Sequence, residues 1–266
     1  ASGSGTTILS FDFVVALGDS TSDLGYDDMN ALTLNGGSVK DVAGNNAILD
    51  LATPGADSSL AANKALVIDG VLPFVNMISS SSADGSYKIG DTLNIAITFN
   101  ESVFTTGVPQ LTLETGDADA VVDYTSGSGG TTLNFSYIVF EGQSTNDLDY
   151  TGTNSLDLNG GSIKDAAGNN VILSLPEPDS TGSLSNSKNL NIDGIFPIIL
   201  SATSPSVDGT YIIGDTLEIS FTFSEVVNAS GTPQLTLETG NIDAIIGYFS
   251  GSGSTVLVFQ YFHQSL

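Results

Sequence analysis

Ten side chains carry oxygen ligands where the chain turns: Asp69, Asp84, Asp91, Glu101, Asp147, Asp149, Asp165, Asn169, Asp193 and Glu225. Carboxylates, Asn side chains and backbone carbonyls are hard donors, and calcium takes about 6–8 such oxygens. Asp and Asn also favour turns through local hydrogen bonds, so turn formation is the competing explanation for each of them. Acid–base catalysis is a poorer reading, because with thirty acidic residues in 266 a carboxylate pair discriminates nothing. His263 is the only histidine, and its repeat partner is Val139. Ser126-Gly127-Ser128-Gly129 lacks a histidine partner, and no nucleophile elbow with a triad is present. These features predict no enzyme.

Two local metal signatures fail. Asp147-Leu148-Asp149-Tyr150 begins like an EF-hand loop, but its twelfth position is Leu158, where a bidentate Glu is needed. Gly160-Gly161 followed by Asp165 misses the spacing of the nonapeptide calcium repeat, and a tight turn accounts for it better.

The positions of the ligand residues are set by a repeat of 124 residues without a gap. Asn35-Gly36-Gly37 returns as Asn159-Gly160-Gly161, and Ile68-Asp69-Gly70 returns as Ile192-Asp193-Gly194. About half of the aligned positions are identical. A period this long marks tandem whole domains rather than a solenoid. The two Ile-Asp-Gly sequences, each followed closely by Pro, predict the joints, since Pro does not continue an interior strand. Residues 71–194 are then one complete repeat. Residues 1–70 are the C-terminal part of a preceding one, and residues 195–266 the N-terminal part of a following one.

Within each repeat the pattern is β. Leu93 to Phe99 alternates apolar and polar, and Leu111 to Leu113, Ala120 to Tyr124 and Leu133 to Val139 do the same. Gly, Asn, Asp and Ser clusters separate these runs, and no amphipathic helix stands out. About seven short strands predict an all-β fold of tandem immunoglobulin-like antiparallel β-sandwich domains, without the Cys–Trp–Cys signature of antibody domains. Strand parity in such a sandwich puts Glu101, Asp165 and Asn169 at the entry pole, beside the linker residue Asp69. Asp84, Asp91, Asp147 and Asp149 fall at the opposite pole, where Asp193 and Glu225 of the next joint would meet them. A calcium site at each joint is the resulting expectation. Counting Val171 to Leu175 and Asn189 to Ile192 as one strand would move Asp165 to the other pole.

The charge agrees with cation binding. Thirty acids face five bases, all lysine, for a net charge of −25. That argues against nucleic acid and anionic membrane surfaces as partners and calls for screening by salt or cations. There are no cysteines, so neither disulfides nor thiolates hold the fold. No apolar run approaches the ~18 residues of a membrane span.

Several runs carry a family resemblance. Asp84-Gly85-Ser86-Tyr87-Lys88-Ile89-Gly90-Asp91, Phe99-Asn100-Glu101-Ser102-Val103, Leu158 to Asn169 and Asn191-Ile192-Asp193-Gly194 resemble the Ig-like tandem repeat modules of giant bacterial cell-surface and RTX-type adhesin proteins. The resemblance covers the whole chain. It implies export to the cell surface, a stalk or adhesive role, neighbouring repeats of the same protein as partners, and calcium between domains. Two other readings stay open. Tyr124, Tyr137 and Tyr150 recur as Tyr248, Tyr261 and Tyr26 and would suit a glycan- or ligand-binding module, although fixed strand positions favour core or corner roles. The two partial repeats are complementary, so a filament subunit polymerising head to tail through split domains is a further possibility.

Overall fold

The structure, a computed structural model, describes residues 2–262. It is all-β, with 41% strand and 3% helix, and its sheets are antiparallel but for one strand pair in the complete repeat. The first partial repeat holds β1 (Ser20–Thr21), α1 (Leu60–Asn63) and β2 (Ile68–Asp69). The complete repeat runs through β3 (Val75–Ser80), β4 (Gly85–Lys88), β5 (Thr92–Thr106), β6 (Gln110–Glu114), β7 (Ala120–Ser126) and β8 (Gly130–Ile138). It continues through β9 (Ser144–Thr145), β10 (Asp149–Tyr150), β11 (Leu156–Asp157), β12 (Ser162–Lys164), α2 (Leu184–Ser187) and β13 (Leu190–Asp193). The last partial repeat forms β14 (Ile199–Thr203), β15 (Thr216–Val227), β16 (Gln234–Leu237), β17 (Ala244–Ser250) and β18 (Ser254–Phe262). Two compact units result, one reaching Asp193 and the other starting at Gly194.

In the complete repeat, alternation decides which side chains go inside. Leu93, Ile95, Ile97 and Phe99 of β5 face one core with Leu111 and Leu113 of β6 and Leu133, Phe135 and Tyr137 of β8. The sheet runs β10–β6–β7–β8–β5–β12, with β11 also on β6 and β3 also on β5. A second sheet, β4–β13–β9, adds Leu190 and Ile192 to the same core. β5 is long because a bulge between Thr98 and Val103 lets it serve two neighbours. Before the bulge it pairs with β3, and after it with β12 through Ile163↔Thr105.

Three features depart from the sequence pattern. β4 and β13 pair in parallel, Gly85↔Leu190 to Lys88↔Asp193, because the chain crosses the whole domain between them. Val171 to Leu175 forms no strand, only a bridge from Ile172 to Phe74. Two four-residue helices appear, capped by Ser59 and Ser183, which accept from the amides of Ala62 and Asn186. Their single turns are too short to leave a helical period in the sequence. The tight turn at Asn159-Gly160 has positive φ at both residues, 47° and 75°, as does Asn35-Gly36.

The segments on either side of residues 71–194 carry fewer strands. Residues 195–262 carry the equivalents of β3 and β5 to β8, which pair among themselves, and they form the sheet β14–β15–β18–β17–β16. Residues 209–212, equivalent to β4, form no strand. In residues 2–70 the β9–β13 pair returns as β1–β2, and the equivalents of β10, β11 and β12, which pair with β6 and β5 in the complete repeat, form no strand. Among the described residues no helix is long and apolar enough to cross a membrane.

Candidate functional site

Asp69, Glu101 and Asp165 converge beside the linker that enters the complete repeat. One carboxylate oxygen from each lies within 4.8 Å of the other two. Each comes from a different element. Asp69 ends β2, and its Oδ1 accepts from the Val71 amide at 3.2 Å. Glu101 sits in β5 at the bulge between Thr98 and Val103 and is half-buried. Asp165 follows β12 in the turn Asp165-Ala166-Ala167-Gly168-Asn169 and is only 4% exposed.

That turn is built by its own side chains. Asp165 Oδ1 accepts from the amides of Gly168 and Asn169 at 2.7 and 2.8 Å, and its Oδ2 accepts from Asn169 Nδ2 at 2.7 Å. Asn169 Nδ2 also donates to the Asp69 carbonyl at 3.0 Å, tying the linker to the sandwich. The amide nitrogen of Asn169 is thus the atom turned toward Asp69 and Asp165. The same turn forms in the first partial repeat, where Asn45 donates to Asp41 at 2.8 and 2.7 Å. These hydrogen bonds hold the Asp41 carboxyl below the usual aspartate range. The Asp–Asn turn is therefore local chemistry, and what the complete repeat adds to it is Glu101 and Asp69.

Glu101 shows the electrostatic result. Burial pushes its carboxyl up, the negative charges of Asp69 and Asp165 push it further, and a hydrogen bond from Asn100 opposes them. The ion pairs found among the described residues are Lys88–Asp91 and Lys188–Asp84, so the group has no salt-bridge lysine. Three converging carboxylates form an all-oxygen, net-negative donor set of the type that hard divalent cations take. The residues present fit such an ion.

The other sequence-predicted ligands lie apart from this group. Asp147, Asp149 and Asp84 gather at the start of β13. Asp147 Oδ1 accepts from the Leu190 amide and Asp84 Oδ1 from the Asn189 amide, both at 3.2 Å. Burial raises the Asp147 carboxyl, opposed by that amide and reinforced by Asp149, Asp179 and Asp84. Buried Asp149 accepts from Ser185 Oγ at 2.6 Å and from the Asp179 amide at 3.1 Å, fastening α2 to β10. Asp179 was not legible as a member, since Gly55 replaces it in the first copy. Asp91 stands at the far end of β4 from Asp84. It accepts from the Lys88 amide and ammonium, which lower its carboxyl below the usual range. Asp193 ends β13 opposite Lys88 and Ser144. Glu225, the equivalent of Glu101, lies in β15, and one of its carboxylate oxygens has no hydrogen-bond partner among the described residues.

The recurring tyrosines have internal roles. Tyr137 donates to Gln143 Oε1 at 2.8 Å inside the core, and burial raises its hydroxyl to about 12. Tyr150 donates to the Pro176 carbonyl and Tyr26 to its equivalent at Ala52. Tyr124 and Tyr248 accept from the amides of Ser128 and Ser252. His263 lies outside the described residues. No protein-family model matches the chain, and no curated protein does.

Proposed function

We propose that this chain is a structural segment of a large extracellular surface protein, built of tandem immunoglobulin-like sandwiches whose joints are held by calcium. The observation that carries the reading is the carboxylate group of Asp69, Glu101 and Asp165. It joins a linker residue to two loops of the next sandwich, so an ion bound there couples linker and domain and narrows the freedom of the joint. The donors come from a linker, a bulge and a turn. Such an irregular set suits calcium, which tolerates varied geometry, better than magnesium, which demands near-ideal octahedra and keeps its waters. A calcium-containing exterior also screens a net charge of −25. The resemblance to adhesin repeat modules supports the same placement on a cell surface, with neighbouring repeats as the partners.

Calorimetric titration of the metal-free protein with calcium tests the reading. Binding is expected, with magnesium weaker. Glu101→Gln removes a ligand charge without touching the Asp–Asn turn and is expected to weaken binding about tenfold or more, since affinity follows ligand charge. No binding, or binding indifferent to Glu101→Gln, would overturn the assignment.

A further inference from the structure

We propose that a groove on the outer face of β7 and β8, in the complete repeat, binds a neutral sugar, a pyranose unit of a glycan. The site is separate from the carboxylates of Asp69, Glu101 and Asp165 and does not depend on a cation.

β7 and β8 turn a second set of side chains away from the core. Ala120 and Val122 are buried, and Asp119, Val121 and Asp123 alternate with them on the outside. On β8, Tyr137 is buried and Ile138 exposed, and Phe140 follows at 62% exposed. The outer side chains and Gln143 line a cavity of about 390 Å³, within the size range of small-molecule sites.

Gln143 points to a ligand. It is only 8% exposed. Its Oε1 accepts from the Tyr137 hydroxyl at 2.8 Å and from the Phe140 amide at 2.9 Å. A backbone amide only donates, so the oxygen is placed by it and Nε2 is the other end of the group. Nε2 carries two donors, and it has no acceptor among the described residues. The fully buried side-chain atoms without a partner there are Thr105 Oγ1 and Glu225 Oε1, so Nε2 is not sealed in and faces the groove that Gln143 lines. The first copy of this turn shows that the fold does not need those donors. Asp19 stands at the position of Gln143 and Ala16 at that of Phe140, and the Asp19 carboxylate accepts from the Ala16 amide at 2.8 Å. A carboxylate closes the turn there, so the amide nitrogen and the aromatic ring are additions of the complete repeat.

The lining sets three demands on an occupant. Gln143 Nε2 needs an acceptor, Asp119 and Asp123 need donors, and Val121, Ile138 and Phe140 need an apolar surface. Gln110 Nε2 already donates to Asp123 Oδ1 at 2.9 Å, which holds that carboxylate in place. A pyranose meets all three demands. Its hydroxyls both donate and accept, and its C–H face covers an aromatic ring. A cationic amine would suit the carboxylates but would set donors against the donors of Gln143. An acidic sugar would meet two carboxylates with no base beside them, since no lysine lines the groove and the chain has no arginine.

Chemical-shift mapping of the full chain in chelator tests the assignment, with methyl glycosides of glucose, galactose and mannose and with N-acetylglucosamine as probes. At least one is expected to move the amides of 119–125 and 136–143 saturably. Gln143→Glu keeps the acceptor that Tyr137 and Phe140 use and removes the donors. It should weaken binding about fivefold, the size of one net hydrogen bond. Phe140→Ala changes an exposed side chain and should weaken binding with the Tm unchanged, which keeps the test valid if Gln143→Glu disturbs the buried turn. Sialic acid and phenethylamine should leave the same amides unmoved. No shift with any of the neutral sugars, or a shift that both variants leave intact, would overturn the proposal. So would sialic acid or phenethylamine binding in the groove as tightly as the sugar. In chelator, such a failure leaves the calcium reading untouched.

Discussion

Phe11, Phe135 and Phe259 occupy one position of the repeat, yet they are 66%, 0% and 7% exposed. The leucines two positions earlier, Leu9, Leu133 and Leu257, follow the same order. Residue type is constant, so partner strands decide burial. The complete repeat surrounds Phe135 with both sheets. In residues 195–262 β15 and β17 flank β18 in a single sheet, and the buried cluster is Ile246, Leu257 and Phe259. Residues 2–70 form only the short strand pair β1–β2. A strand whose sheet neighbours are close in sequence forms here, whereas one whose neighbours lie far along the repeat forms only where they are present.

The sharpest way to break this comparison is to make one substitution in three settings. Phe135→Ala is expected to destabilise the complete repeat by about 3–5 kcal/mol, the usual range for a buried Phe. Phe259→Ala should cost less. Phe11→Ala should cost under about 0.5 kcal/mol, as for an exposed site. Denaturant titration of the three variants checks the order, and equal costs at Phe11 and Phe135 would break the account.

Calcium supplies the next largest effect. At free calcium about 100-fold above Kd, binding stabilises the complete repeat by about 2.7 kcal/mol. The first partial repeat, whose Asp41–Asn45 turn meets no Glu among the described residues, should gain nothing. Melting with calcium against chelator measures the difference.

Glu101→Gln should reverse sign with the ion. In chelator the variant loses the repulsion from Asp69 and Asp165 and melts higher than the parent. In saturating calcium it lacks a ligand and melts lower. A shift of the same sign in both conditions would separate Glu101 from the ion.

The smallest expected effect is on pH. Because folding raises the Glu101 carboxyl, the folded state binds that proton more tightly than the unfolded chain. In chelator this group's contribution to stability is present below the ordinary glutamate range. It is lost as pH rises from there through the raised folded value. With calcium the trend inverts, because only the ionised group is a ligand. Melting curves across the carboxylate range, for parent and Glu101→Gln, isolate the contribution.

Much of the β architecture was legible because alternation is a local signal. Leu93 to Phe99 and Leu133 to Tyr137 announce their strands within a few residues. The parallel pairing of β4 with β13 was not legible, since it joins residues about one domain apart and depends on the whole topology. The two single-turn helices escaped because one turn has no period. At the site, Asp69, Glu101 and Asp165 come together although Val171 to Leu175 forms no strand, so the strand count on which parity rested does not hold. Nor did parity show that Asp149 is buried under α2, because that depends on Ser185 and Asp179, which the first copy does not share.

Hydrogen exchange by mass spectrometry, in calcium and in chelator, tests the central claim most directly. Without calcium the account expects slow exchange through β5 and β8 and fast exchange in residues 2–67. Calcium should then slow exchange at 69–71, 100–103 and 165–170, the three segments that meet at the carboxylates, and leave residues 41–45 unchanged. No protection at these segments, or equal protection at Asp41–Asn45, would contradict it.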